Sequence, residues 1–337
     1  MKKKLVIAII CSAVGSIAIA GFGTTYFLFL HHYKGKKAVN NWSVIDTFDI
    51  NKIPTLTKKP GKDFTIINFA DIQMCDLENW HSHRVVHKEL TYLVNTLKPD
   101  LITLTGDQTW SNENRCSLKS LISWLNKYKV PFAPVFGNHD HGNGFSTAVA
   151  GLNYCCDLYE KAKYSLFDRG PTNIGSLGNY AINIKEDGKI INTIYMMDYG
   201  YNEITDGQLE WFKWTADGIK ENNGGVYSNG LIFFHKPINE HMYAYRHEDS
   251  ESLSVTPIFE AAKDRGVTNF VCGHYHEWNF TEQYQGINMT IATKTGEIFS
   301  FYEDEDEYIN GATSFTINDE GITIKHNYVD RNAFRIK

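Results

Sequence analysis

No C-x-x-C pair and no zinc-finger spacing occurs among the 6 cysteines of this 337-residue chain. That excludes a cysteine-built zinc module and a thioredoxin-type redox motif. Proline is scarce, at 8 residues, and no internal repeat or low-complexity tract is found, which argues against a solenoid or a Pro-rich spacer. Acidic residues are absent before Asp46, where six lysines lie, so the remainder carries 27 basic against 39 acidic residues. The resulting charge of -12, within a total of -6, is a poor match to a nucleic-acid groove, and no nucleic-acid partner is expected.

Charge is also missing from Leu5 to Leu30, a run of 26 residues preceded by "MKKK". As a helix this run would span about 39 Å, enough to cross a bilayer with tilt. The expectation is a signal anchor, residues 1–30, which attaches the chain to the membrane as a single-pass protein with its bulk outside the cytoplasm. The small-x-small triplet "AIA" before Gly21 leaves secretion after cleavage as the alternative. "YFLFL" continues the apolar run past that point and favours the anchor. Residues 31–61, with "KGKK" and "TKKPGK", read as a polar tether, and 62–330 as one domain. Five cysteines follow the anchor, and "CC" at 155–156 suits pairing with other cysteines better than with itself.

What is there is a rhythm. "FTIINFADI", "PDLITLTGD" and "PFAPVFGNHD" are apolar runs ending in polar side chains, separated by "HRVVHKELTYLVNTL" and "SLKSLISWLNKY", whose apolar residues recur at helical spacing. Strands alternating with helices predict an α/β fold with parallel pairing. In the second half "EDGK" and the tail "TSFTINDEGITIKHNYV" mark hairpins, while "NGLIFFHKP" and "VTNFVCGHYH" are further apolar strands. Two sheets face to face, with helices outside, are expected.

Five apolar strands thus end in groups that bind metals: "FADIQ", "LTGDQ", "VFGNHDH", "IFFHKP" and "VCGHYHE". Ligands bind at the carboxyl ends of strands in open α/β sheets, so Asp71, Gln73, Asp107, Asn138, His139, His235, His274 and His276 are candidates for one site. Pleating would turn both residues of "DIQ" and of "HYH" to one side. "DIQ" or "GD" alone carries little weight, "GHYH" more and "GNHD" more still; the order of all five carries the argument. Oxygen and imidazole donors without thiolate suit Mn, Fe, Zn or Mg, and seven donors are too many for one tetrahedral ion with an open position. They suit two divalent ions sharing a carboxylate.

The series resembles that of the calcineurin-like metallophosphoesterases, D-x-H, G-D, G-N-H-[DE], H, G-H-x-H, over about Asp63 to Tyr328. "PDLITLTGDQ", "YSLFDRGPTNIGSLGNY" and "DGQLEWF" are similar to the branch related to purple acid phosphatases. The resemblance implies a four-layered α/β/β/α sandwich that hydrolyses a small phosphorylated substrate, a monoester or a diester. It also implies that Asp71, Gln73 and His276 hold one metal ion and Asn138, His235 and His274 a second, with Asp107 bridging. His139 would assist the leaving group and Asp140 would orient His139.

Two departures stand out. Gln73 occupies the place of a usual His, which weakens the first site and leaves open a non-catalytic binding or adhesion module on the same fold. Trp110, three residues after Asp107, stands where purple acid phosphatases carry the Tyr that ligates ferric iron, so no ferric-tyrosinate centre is expected. His81, His83 and His87 are expected on a loop and helix face near the pocket, and His141 near the site without being a ligand. "EDEDE" at 303–307 reads as a solvated loop, since it lacks EF-hand spacing.

Overall fold

The computed structural model describes residue 35 and residues 37–74, 80–110, 114–141, 151–199, 203–248, 253–296 and 310–330. The expected anchor at 1–30, Cys75 and "EDEDE" lie outside the described residues. Among the described residues no helix is long and apolar enough to cross a membrane.

The alternation of strand and helix builds a five-stranded sheet from β2 (Phe64–Phe69), β3 (Leu101–Thr105), β4 (Phe132–Val135), β11 (Asn310–Asn318) and β12 (Gly321–Val329). Its order is β12-β11-β2-β3-β4, with β2, β3 and β4 parallel and the tail hairpin added antiparallel. The crossovers after β2 and β3 are the helices α1 (Trp80–Leu97) and α2 (Asn114–Tyr128), followed after β4 by α3 (Leu152–Glu160). The uncharged sequence of β3, Leu-Ile-Thr-Leu-Thr, is buried at every position, as a strand covered on both faces requires.

A second sheet has seven strands: β1 (Thr55–Thr57), β5 (Tyr180–Glu186), β6 (Lys189–Met196), β7 (Asn229–Phe233), β8 (Val267–Cys272), β9 (Phe280–Tyr284) and β10 (Ile287–Ile291). They run in the order β1-β5-β6-β7-β8-β10-β9. The "EDGK" turn is a two-residue loop in which Asp187 and Gly188 both take positive φ, 48° and 80°, the backbone that suits the twist of a hairpin. Helix α4 (Asp206–Asn222) is started by a capping box between Thr205 and Gln208. It covers the outer face of this sheet with α5 (Asn239–Tyr245) and α6 (Pro257–Lys263).

Period-two alternation divides the core. Ile182, Ile184, Ile194, Met196, Leu231 and Phe233 turn inward, towards the five-stranded sheet. Their neighbours Ala181, Tyr195, Met197, Ile232 and Phe234 turn towards the helices. Phe233 meets Phe315 of the opposite sheet edge-on, 5.5 Å between ring centroids, and each buried ring contributes roughly 1.5–3 kcal/mol. The layers are therefore helix, sheet, sheet, helix, a mixed α/β architecture as expected.

The polar stretch 31–61 departs from the expected tether. From Asn40 onwards it packs on the domain: Trp42 and Phe48 meet Trp214 at 5.6 and 5.1 Å, and β1 pairs with β5. Even Lys58 is buried, held by Glu186 at 2.6 Å and Asp319 at 3.2 Å. Trp42, Phe48, Ile50, Ile53 and Leu56, set among lysines, supply its apolar contacts.

Candidate metal centre

All five strand ends come together at the edge shared by the two sheets, and their backbones are set for it. Asp71, Gln73, Asp107 and His274 have φ of 51°, 49°, 48° and 75°, four of the nine described non-glycine residues in the left-handed region. That region is disfavoured for side chains and tends to persist where surrounding contacts hold it, commonly at functional sites. Strand pleating does not account for the two pairs. "DIQ" and "HYH" lie beyond β2 and β8, and the left-handed turns are what aim the side chains. Hydrogen bonds continue between the loops past the strands: the amides of Asp71 and Gln73 donate to the carbonyls of Gly106 at 3.3 Å and Asp107 at 2.9 Å.

Small residues let the carboxylates in. A methyl on Gly137 would fall 2.1 Å from Asp107 Oδ1. Asp107 is buried; its Oδ1 accepts from the His139 amide at 2.9 Å and its Oδ2 lies 3.3 Å from His235 Nε2. Burial would raise the Asp107 carboxyl, but the charge and hydrogen bond of His235 hold it well below the usual range. His235 in turn is pushed up to about 9: burial opposes its charge, and the Asp107 carboxylate outweighs that.

His235 faces the Thr105 carbonyl through Nδ1 at 2.8 Å, which fixes its proton there. Its Nε2 then meets Asn138 Oδ1 at 3.0 Å, Asp107 Oδ2 at 3.3 Å and His274 Nδ1 at 3.3 Å. Four atoms that can each offer a lone pair thus converge on one point, an arrangement satisfied by a shared proton or by a metal ion. Asp107, His235 and His274 form a group able to hold a metal. Burial and the nearby His235 pull His274 down to about 4, so its ring is neutral and its lone pair available at neutral pH.

A second group adjoins the first. Asp71 is buried, its Oδ2 accepts from the His274 amide at 2.9 Å, and its Oδ1 has no hydrogen-bond partner among the described residues. His276 Nε2 stands 3.5 Å from that orphaned oxygen and 3.1 Å from Gln73 Nε2. Here the amide of Gln73 turns its nitrogen to the imidazole; using it as a donor to a metal needs the amide oxygen in that place, a rotation of the planar group.

His139 lies at the rim, its side chain a fifth exposed, with Nε2 3.8 Å from Asp107 Oδ2. Burial lowers its pKa. The expected support from Asp140 is corrected by the structure. Asp140 turns its carboxylate away from that ring and accepts from the amides of Gly137 at 2.9 Å and of Gln108 and Thr109 at 3.2 Å. Three backbone donors outcompete one ring nitrogen, and His139 Nδ1 has no partner among the described residues. Trp110 flanks the His139 ring instead, edge-on at 5.7 Å.

His141 is near but outside the cluster, paired with buried Asp198 at 2.9 Å. Asp198 is one residue of this neighbourhood outside the five strand-end series, and its signal is "IYMMDYG", another apolar strand ending in a carboxylate. Lys294 is the other: it is buried and donates from Nζ to the Asp71 carbonyl at 2.5 Å, and its signal was a single cation within "MTIATKTG". His83 and His87 pack on Trp124 of α2, at 6.2 and 4.6 Å between ring centroids, rather than facing the ligands. Among the described residues no disulfide links Cys116, Cys155, Cys156 and Cys272 to one another.

Sheet order, strand-end carboxylates and convergent imidazoles together define a metallophosphoesterase fold with a metal-binding group. Residues 64–278 match the family described as calcineurin-like phosphoesterase, and the chain belongs to that family, in the branch related to purple acid phosphatases. It is 26% identical to a protein of Arabidopsis thaliana named probable inactive purple acid phosphatase 29, over 57% of this chain and 58% of that one. A stretch of 88 residues is 34% identical to the Bacillus subtilis metallophosphoesterase YkuE, covering 26% of this chain and 29% of the relative. The chain thus spans less than two thirds of the length of the curated relatives it matches. Among solved structures, GAP50, the anchor in the inner membrane complex of Plasmodium, shares the fold with a TM-score of 0.50 at 12% identity, over 80% of this chain and 85% of that one.

Proposed function

We propose that this protein hydrolyses a phosphoester at a centre of two divalent ions, Mn, Fe, Zn or Mg. Asn138, His235 and His274 would hold one ion, Asp71, Gln73 and His276 the other, with Asp107 between them. The observation that carries this reading is the meeting of Asp107, His235 and His274 donor atoms around one point. When bound, the ions supply charge that offsets the phosphoryl oxygens and makes water a competent nucleophile at neutral pH.

The chain's own residues do the rest. Gly137 and Gly273 admit the carboxylates, and the Thr105 carbonyl keeps the His235 proton on Nδ1 and its Nε2 lone pair directed inward. Buried Asp71 and Asp107 offset the positive charge. His139 sits within reach of the group bound at the rim, where a ring N–H can donate to the departing alkoxide. Trp110 limits how far the ring can swing, and Asp140 fixes the backbone on which His139 is mounted.

One observation favours a second reading, a binding module that keeps the fold without turnover. Gln73 offers an amide where the family series carries an imidazole, so the first ion has the weaker set of donors, and relatives carry names that call them probable inactive. Metal-dependent turnover separates the two. Hydrolysis of an aryl phosphate that requires added metal supports the enzyme; measured metal binding without hydrolysis supports the module.

The domain is proposed to stand outside the cytoplasm on the apolar run Leu5–Leu30. Fractionation that leaves the protein in the membrane pellet after carbonate washing would support this, and release into the soluble fraction would contradict it.

A further inference from the structure

Five large aromatic side chains are more than a third exposed among the described residues, and three of them, Tyr245, Tyr275 and Trp278, form one group beside the metal centre. Water does not favour leaving such rings exposed, so their clustering needs an explanation. Tyr275 stands in the chain between His274 and His276, and its ring lies 5.3 Å from that of His274. Trp278 follows at 5.1 Å from Tyr275. Tyr245, the last residue of α5, lies almost parallel to Trp278, with ring centroids 5.4 Å apart and planes 14° from coplanar. Phe280, at the start of β9, supports Tyr245 from the side at 5.1 Å.

These rings come from two elements and lead outward from a candidate metal ligand in two ring-to-ring steps. We infer that Tyr275, Trp278 and Tyr245 form a platform on which the organic part of the substrate stacks, and that the preferred substrate is a phosphoester carrying a flat aromatic ring one sugar away from phosphorus. An indole offers a broad face to a flat ring, and stacking tolerates different heterocycles because each has a π-face. A ribose separates phosphorus from a base by a distance of the same order as the two steps from His274 to Trp278. The proposal rests on the metal-centre reading above and adds the chemical class of the leaving group.

The test compares adenosine 5′-monophosphate with ribose 5-phosphate, which share the phosphate and the sugar and differ in the base. With the full-length protein loaded with Mn, the ratio of their kcat/KM values should be about tenfold or more, in the range expected for stacking one base. In Trp278→Ala the ratio should fall towards one, while Trp278→Phe should restore most of it. Saturation-transfer NMR with adenosine alone gives a readout that does not depend on turnover: transfer to the base protons is expected, and its loss in Trp278→Ala.

Equal kcat/KM values for the two substrates, or a ratio untouched by Trp278→Ala, would overturn the platform. Metal-dependent hydrolysis of p-nitrophenyl phosphate in the same preparation would meanwhile leave the metal reading standing. Conversely, no hydrolysis with any metal but Trp278-dependent adenosine transfer would keep the platform and remove the enzyme.

Discussion

Gly273 lies so close to the Asp71 carboxylate that a methyl group on its Cα would come within 2.3 Å of Oδ2. The same Oδ2 accepts from the His274 amide at 2.9 Å, so one residue without a side chain lets the β8 turn and the β2 turn share a carboxylate. Gly273→Ala should therefore displace Asp71 and weaken metal binding, by about 10- to 100-fold if it acts as the loss of a supporting contact does. Calorimetric titration with Mn would measure it; unchanged affinity would show that the turn can yield.

Asp140 and His139 should separate when each is replaced. His139→Ala is expected to leave thermal stability nearly unchanged and to lower the hydrolysis rate by about 10²- to 10⁴-fold, the range for a lost acid-base group. Asp140→Asn replaces one of the two oxygens that accept from the amides of Gly137, Gln108 and Thr109 by an NH2 group, which sets donor against donor, and should cost about 1–3 kcal/mol of stability. Thermal unfolding and rate, measured on both variants, check the division. A stable but inactive Asp140→Asn would return Asp140 to the chemistry.

Gln73 offers a gain rather than a loss. Gln73→His supplies an imidazole where the amide nitrogen now faces His276, and should tighten the weaker half of the centre by about 10-fold or more. The readout is the metal concentration giving half-maximal hydrolysis. No change would mean that Gln73 takes no part in holding an ion.

His241 gives a pH dependence away from the centre. Its ring is fully buried against Phe234 and closes no hydrogen bond among the described residues, although the backbone of Ile238, Thr290 and Phe270 lies near enough to favour its charge slightly; burial pulls its pKa down to about 3. The unfolded chain takes up this proton near pH 6.5 and the folded chain only near 3. The ring's contribution is therefore full above about 6.5 and is lost as pH falls through that window, by roughly 2 kcal/mol at pH 5. His241→Phe should flatten stability between pH 7 and 5 relative to the natural protein, as followed by urea unfolding. Parallel profiles would contradict this.

Much of the fold was legible because burial writes itself into apolar runs: β2, β3, β4, β7 and β8 were each visible as a strand, and the hairpin at Asp187–Gly188 by its turn residues. Packing of the 40–58 stretch was not, because two tryptophan contacts and a three-residue strand leave no periodic pattern. At the centre, residue types and order pointed to Asp71, Asp107, Asn138, His235, His274 and His276, since chemistry constrains which side chains can bind metal. Sequence could not show that left-handed turns rather than pleats aim them, nor that the Asp140 carboxylate goes to backbone amides and Lys294 to the Asp71 carbonyl. Those are choices among partners distant in the chain, and only the folded geometry makes them.

The most direct test of the account is metal-dependent hydrolysis by the purified full-length protein. It would compare p-nitrophenyl phosphate with bis-p-nitrophenyl phosphate in Mn, Zn, Mg and Fe, with His235→Ala alongside. Turnover that needs metal and disappears in His235→Ala, together with metal affinity, is the predicted result. Turnover that persists in metal-free buffer, or in His235→Ala, would contradict a centre built on the lone pairs that meet at His235.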